Sequence, residues 1–197
     1  MPEFDLMPAA TNLGRLVRQV PDDRLGDPTP CPDFTVGDLV EHIGGLALAF
    51  TAAAHKERGP LNQAAPNPDA ARLPADWRLR IPADLAALGA AWRDPDAWTG
   101  MATAGGVTMP GDVTGLVALD EIVLHGWDLA AATGLPYDVE QPQLAAVHGF
   151  VASFGPDPES RAGLFGPVIE VPASAPLLDR VLGLAGRDPG WSAPPRG

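Results

Sequence analysis

Between Thr114 and Thr133 the chain runs for twenty residues without a proline and places Leu116, Val117, Leu119, Ile122, Val123, Leu124, Trp127 and Leu129 in helical spacing. These positions surround the helix axis. A helix that is apolar on every side has to be enclosed by other elements. This one segment therefore calls for a helical core with further helices packed around it. It stops at Gly134-Leu-Pro136, a glycine followed by a proline. Titratable residues interrupt it, among them Glu121, His125 and Asp128. Residues three and four apart share a helix face, with Cβ atoms about 5–6 Å apart. A carboxylate buried there is costly unless something pairs with it.

The rest of the chain reads as helices separated by proline and glycine clusters, and no region alternates with period two for long. The spacing predicts a first helix over about 6–20, built on Leu13, Leu16, Val17 and Val20 and stopped by Pro21. The second has the clearest start. Thr35 stands at the N-cap, Asp38 at N3, and Phe34 with Leu39 at the positions of a hydrophobic staple. Its stripe of Val36, Leu39, Val40, Ile43, Leu46, Ala47 and Phe50 carries it to about Glu57. Residues 58–75 read as a loop, and a third helix follows over about 76–93 on Leu85, Leu88 and Trp92. Residues 94–112 read as a second loop, long enough to be functional. A fifth helix spans about 140–154. Val168–Val171 reads as a short extended segment, and a last helix spans about 176–185. The expectation is one domain over 1–197, with residues 155–197 a tail packed on it and 192–197 disordered.

Composition narrows the classes. With 197 residues, 46% of them hydrophobic, the chain can bury one sizeable core. A net charge of −12 repels phosphate backbones and anionic membranes, so no nucleic-acid partner is expected. No unbroken apolar run of 18 residues suggests a membrane helix. The first residues lack the pattern of a signal peptide, which makes a cytoplasmic location the default. Cys31 is the only cysteine, which excludes an internal disulfide and a cysteine-rich zinc site.

Glu121 and His125, one turn apart on the most apolar helix, are a ligand pair for a divalent metal, and His42 on the second helix is the third candidate. Two imidazoles and a carboxylate form the set used by catalytic zinc sites that keep a position open. Inward side chains on facing helices build such sites in bundles. The spacing alone leaves a plain buried ion pair open, because Glu-x-x-x-His is common in helices. His42 falls about 90° from the centre of its apolar stripe, at a flank of the helix. Asp128 is read as the partner that fixes the His125 tautomer; a fourth ligand or an ordinary buried acid are the alternatives. His55 reads as exposed, His148 as structural, and Cys31 as a thiol upstream of a helix N-terminus.

The segment Thr29-Pro-Cys31-Pro-Asp-Phe34-Thr-Val-Gly-Asp38-Leu-Val-Glu-His42 resembles the second-helix motif of the DinB-like superfamily, and most closely the N-terminal domain of mycothiol-dependent maleylpyruvate isomerases. Glu121-x-x-x-His125-Gly-Trp127-Asp128-Leu129-Ala130, continued by Thr133-Gly134, resembles their later motif. The tail, with Pro172-Ala-Ser-Ala175 and Gly186-Arg-Asp-Pro189, is similar to an actinobacterial branch of small metal-binding proteins. The resemblance implies an all-α fold: a DinB-like four-helix bundle, here with a short extra helix and an irregular C-terminal tail. It implies a divalent metal, zinc or nickel, on His42, Glu121 and His125. Glu121 takes a position where other DinB-like proteins carry a third histidine, as in the isomerases.

The function implied is metal-dependent transfer or isomerisation using a low-molecular-weight thiol, mycothiol, as cosubstrate. The ion would deprotonate the thiol, and the thiolate would attack an electrophilic small molecule. Glu121 lowers the positive charge of the site relative to three histidines, which leaves the sulfur more nucleophilic. Trp98 and Met101 are expected at the entrance, and a tail arginine such as Arg180 against a carboxylate. The alternative is a non-catalytic protein with a closed metal site. A monomer or a homodimer fits the sequence equally well. About 45 residues of this sequence follow the fifth helix, where the isomerases carry a second C-terminal domain that helps form the active site, so the maleylpyruvate reaction itself is not the expectation.

Overall fold

A computed structural model describes residues 4–194; of the end expected to be disordered, 195–197 lie outside the described residues. Four long helices make the centre: α1 (Met7–Gln19), α2 (Val36–Ala54), α4 (Trp77–Ala91) and α5 (Gly111–Thr133). Each of α1 and α2 packs on both α4 and α5, which closes a four-helix bundle. The fold is all-α. The short α3 (Pro60–Gln63) lies between α2 and α4. The helix α6 (Gln141–Ala152) leans on α5, and the tail helix α8 (Leu177–Leu184) packs on α6, with a single turn, α7 (Pro158–Arg161), between them.

The helices form where the apolar spacing and the caps demand. In α2, Thr35 Oγ1 accepts from the Asp38 backbone N–H, and the Asp38 carboxylate accepts from the Thr35 N–H, a complete capping box. The other Asp38 oxygen accepts from the Ala70 N–H at 2.8 Å, so the cap also pins the turn Ala70–Arg72. Residues Val36, Leu39, Val40, Ile43, Ala47 and Phe50 are all buried, as their stripe requires. By length and composition α2 could cross a membrane; here its apolar residues are enclosed by the bundle. The helix ends at Ala54, earlier than Glu57, because Lys56 turns into the left-handed region at φ 58°.

The central helix α5 is buried on nearly every side, from Thr114 to Ala132. Gly134 closes it at φ 72°. Beyond this cap, Tyr137 folds back on the helix and donates its hydroxyl to the Val123 carbonyl at 2.9 Å. The seat is tight: a Cβ on Gly126 would stand 2.5 Å from the Tyr137 hydroxyl oxygen.

Residues 94–112 are not the loop expected. They hold a turn at Pro95–Trp98 and a hairpin of β1 (Met101–Ala104) and β2 (Val107–Pro110), paired antiparallel with Ala104 opposite Val107. Four-residue strands are too short to show a period-two pattern. The legible signal was the turn, Gly105-Gly106, where both φ angles are positive (57° and 81°), as two-residue hairpin loops require. Residues 58–75 likewise contain α3 and a helical turn, and α5 begins at Gly111, three residues before Thr114. Val168–Val171 is extended without pairing as a strand; its Ile169 N–H bonds to the Gly183 carbonyl.

Candidate metal centre

Near the start of α2 and the middle of α5 the bundle brings His42, Glu121 and His125 together. One ligand atom from each lies within 4.8 Å of the others. Glu121 Oε2 is 3.0 Å from His125 Nε2 and 3.7 Å from His42 Nε2. Two donors on one tetrahedral ion at about 2.0–2.1 Å stand roughly 3.3–3.4 Å apart, a separation that these two distances bracket. The imidazoles meet edge to face with centroids 4.8 Å apart, and Phe34 covers both, at 5.4 Å from His42 and 6.4 Å from His125. The flank position expected for His42 is in fact enclosed, at 6% exposure, because α5 packs beside it.

Asp128 lies behind His125. Its Oδ2 is 3.0 Å from His125 Nδ1, and the carboxylate is fully buried. Arg187, from the chain just after α8, grips the same carboxylate with two donors, Nε to Oδ1 and Nη2 to Oδ2, both at 2.9 Å. This bidentate geometry is the strong form of a charge-assisted pair. With Nδ1 held by Asp128, His125 offers Nε2 toward Glu121 and the ion position. Both Asp128 oxygens are committed, so Asp128 stands as the orienting partner of His125 in this geometry.

The charges confirm how tightly the cluster is coupled. Burial alone would push the Glu121 carboxyl up, but the hydrogen bonds and charges of His125 and His42 hold it well below the usual carboxylate range. Burial would lower His125, yet Asp128 and Glu121 together raise it to about 9. Burial likewise opposes ionisation of Asp128, and Arg187 and His125 bring it below the usual value. A cationic imidazole between two carboxylates stands where a cation is wanted. The donor set, two nitrogens and one oxygen with a locked tautomer, fits a divalent ion of the zinc or nickel kind.

The ligand atoms open into a cleft of about 510 Å³. One wall comes from Cys31, Phe34 and Leu124; the other comes from the tail, through Leu164, Phe165 and Arg187. Trp98 and Met101 do not line it. Trp98 turns inward onto Trp92, with ring centroids 5.0 Å apart, and donates its indole N–H to the Trp92 carbonyl. Met101 sits exposed on the hairpin. Arg180 is also elsewhere: it donates to His148 at 3.2 Å in a separate groove. The tail arginine at the site is Arg187. Nothing in local pattern marked it, because its partner is 59 residues away. Cys31 faces the cleft, but burial and the nearby Asp128 raise its thiol above the usual value, which argues against an activated nucleophile. His55 is exposed, as expected.

Residues 6–130 match the model of the mycothiol maleylpyruvate isomerase N-terminal domain. The chain belongs to this family. An uncharacterized protein of Mycobacterium tuberculosis (strain ATCC 25618 / H37Rv) is 31% identical over 179 residues, which cover 87% of this chain and 90% of that one. A second uncharacterized protein of that strain is 31% identical over 157 residues, 66% of this chain and 56% of its own. Among solved structures, the mycothiol-dependent maleylpyruvate isomerase superposes with a TM-score of 0.57 at 21% identity, over 74% of this chain. That likeness shows the fold. The chain spans 66% of the isomerase's length. The matched family segment ends at residue 130, so Arg187 and the tail wall lie outside it.

Proposed function

We propose that this protein binds one divalent metal ion, zinc or nickel, on His42, Glu121 and His125, and uses it in transfer or isomerisation chemistry on a small thiol, with mycothiol as cosubstrate. The observation that carries this reading is the donor count. Three ligand atoms converge in an open cleft, and Asp128, the fourth ligand the sequence left open, is occupied by His125 and Arg187. A structural ion is enclosed by four protein ligands, whereas three with a vacant position is the catalytic pattern. When bound, the ion supplies the charge that strips a thiol of its proton.

The chain's own residues do the rest. Asp128 keeps the His125 ring in one tautomer and orientation, and Arg187 keeps Asp128 in place. Phe34 shields the imidazoles from water. Glu121, 31% exposed in its side chain, brings a negative charge to the edge of the cleft, so an incoming thiolate meets a weaker positive site than three histidines would make. The family membership supports the mycothiol part of the reading.

Elemental analysis of the protein purified without added metal should find about one ion per chain, and His42→Ala and His125→Ala should each abolish it. Full occupancy in both variants would overturn the ligand assignment. Mycothiol should bind in a way that a chelator eliminates; binding indifferent to chelation would defeat the thiol reading.

A further inference from the structure

Asp120 precedes Glu121 on α5 and lines the same cleft, at 5% exposure. Its Oδ1 is sealed from solvent and has no hydrogen-bond partner among the described residues. Buried carboxyl oxygens are normally satisfied, and one left bare in a native site asks for an explanation. The metal cluster does not use it. Glu121 is met by His42 and His125, and Asp128 by His125 and Arg187. Neighbouring helix residues point about 100° apart round the axis, so Asp120 reaches the cleft beside the cluster rather than through it. Phe34, Leu124, Leu164 and Phe165 add apolar side chains to the cleft lining. They offer no donor of their own.

We propose that Asp120 binds a hydroxyl group on the ligand that fills this cleft, so that the site selects hydroxylated thiols over plain alkyl ones. The inference rests on the metal–thiol reading above. A hydroxyl both donates and accepts, so it satisfies a carboxyl in either protonation state. A carboxylate would be repelled by Glu121, and an ammonium by Arg187 and the ion. A ligand that fills the cleft without offering a hydrogen bond leaves the carboxyl unpaired, and one that offers a hydroxyl relieves that cost, which turns Asp120 into a discriminator.

The full-length protein loaded with cobalt(II) reports thiol binding through sulfur-to-cobalt charge-transfer absorption. Titration with 2-mercaptoethanol and 1-thioglycerol is compared with ethanethiol and 1-propanethiol. The hydroxylated thiols should bind on the order of tenfold more tightly. Asp120→Leu should bring the two classes level, and Asp120→Asn, which still forms hydrogen bonds, should keep part of the preference. Cobalt content and circular dichroism serve as folding controls, and if Asp120→Leu fails them the wild-type comparison and Asp120→Asn still decide. Equal affinities in the wild-type protein, or a preference that survives in folded Asp120→Leu, would overturn this inference alone. No charge-transfer band with any thiol would overturn the metal–thiol reading and this inference with it.

Discussion

The bundle and the tail build the same cleft by different means. The bundle positions His42 and Glu121 through repeated apolar contacts: every turn of α2 and α5 buries side chains, and the ligands are carried along by the helices. The tail, from residue 155 onward, buries Val181, Leu182 and Ala185 through α8, but its approach to the cleft is fixed by two arginines. Arg161, 2% exposed, donates to three carbonyls, those of Gly155, Gly166 and Leu184, and so fixes the loop that carries Leu164 and Phe165 to the cleft. Arg187 ties the end of α8 to Asp128. A distributed core tolerates the loss of any one contact by degrees, whereas a wall hung on two guanidinium groups is held at points.

The sharpest break is at the seam between the two regions. Asp128→Ala would leave the Arg187 guanidinium, 13% exposed, without its carboxylate. Breaking a buried pair from one side costs about 3–5 kcal/mol, measured as a fall in unfolding free energy by denaturant titration. Leu39→Ala, in the bundle core at 0% exposure, should cost about 2–5 kcal/mol through lost transfer energy and a cavity, and should lower the global unfolding midpoint. Arg161→Met should cost about 1–3 kcal/mol for carbonyls left bare, and hydrogen exchange should show that loss confined to residues near 155–167 and 184. Global loosening of α1, α2 and α5 in Arg161→Met would erase the contrast between the regions.

The last effect is one of pH on the metal-free protein. His125 titrates near 9 in the fold against an ordinary 6.5. Its raised value means that the stabilisation is complete below pH 6.5 and is lost as pH rises through 9. The slope is at most about 1.4 kcal/mol per pH unit. With chelator present, thermal midpoints should therefore fall between pH 6.5 and 9. Bound metal takes the place of the proton, so the metal-loaded protein should lose this dependence. A metal-free midpoint that rises across this range would contradict the charge arrangement described at His125.

The same contrast explains what the sequence made legible. Helical period and the Thr35–Asp38 box located α2 and α5 to within three residues, and because His42, Glu121 and His125 sit on those helices, their convergence could be anticipated. Helical wheels locate residues on one helix but not the neighbour that covers them, so the burial of His42 was missed. Asp120 carried a usable signal: an acid on a helix that is apolar all round must be buried. The hairpin carried one too, in Gly105-Gly106. Arg161 and Arg187 carried none, since their partners are carbonyls and a carboxylate fixed only by the tertiary fold. The entrance was assigned to Trp98 and Met101 on loop length alone; Trp98 instead found its partner six residues back, in the Trp92 carbonyl.

The close seat of Tyr137 on Gly126 has a consequence for the metal centre. The phenol is keyed into a notch one residue beyond His125, and its hydroxyl latches to Val123, two residues before it. Together they stop α5 from rolling about its own axis. A methyl group in the notch would lever the strap after Gly134 outward, and the imidazole next door would swing with the shaft, misaiming Nε2 without a change to any of the three proposed ligands.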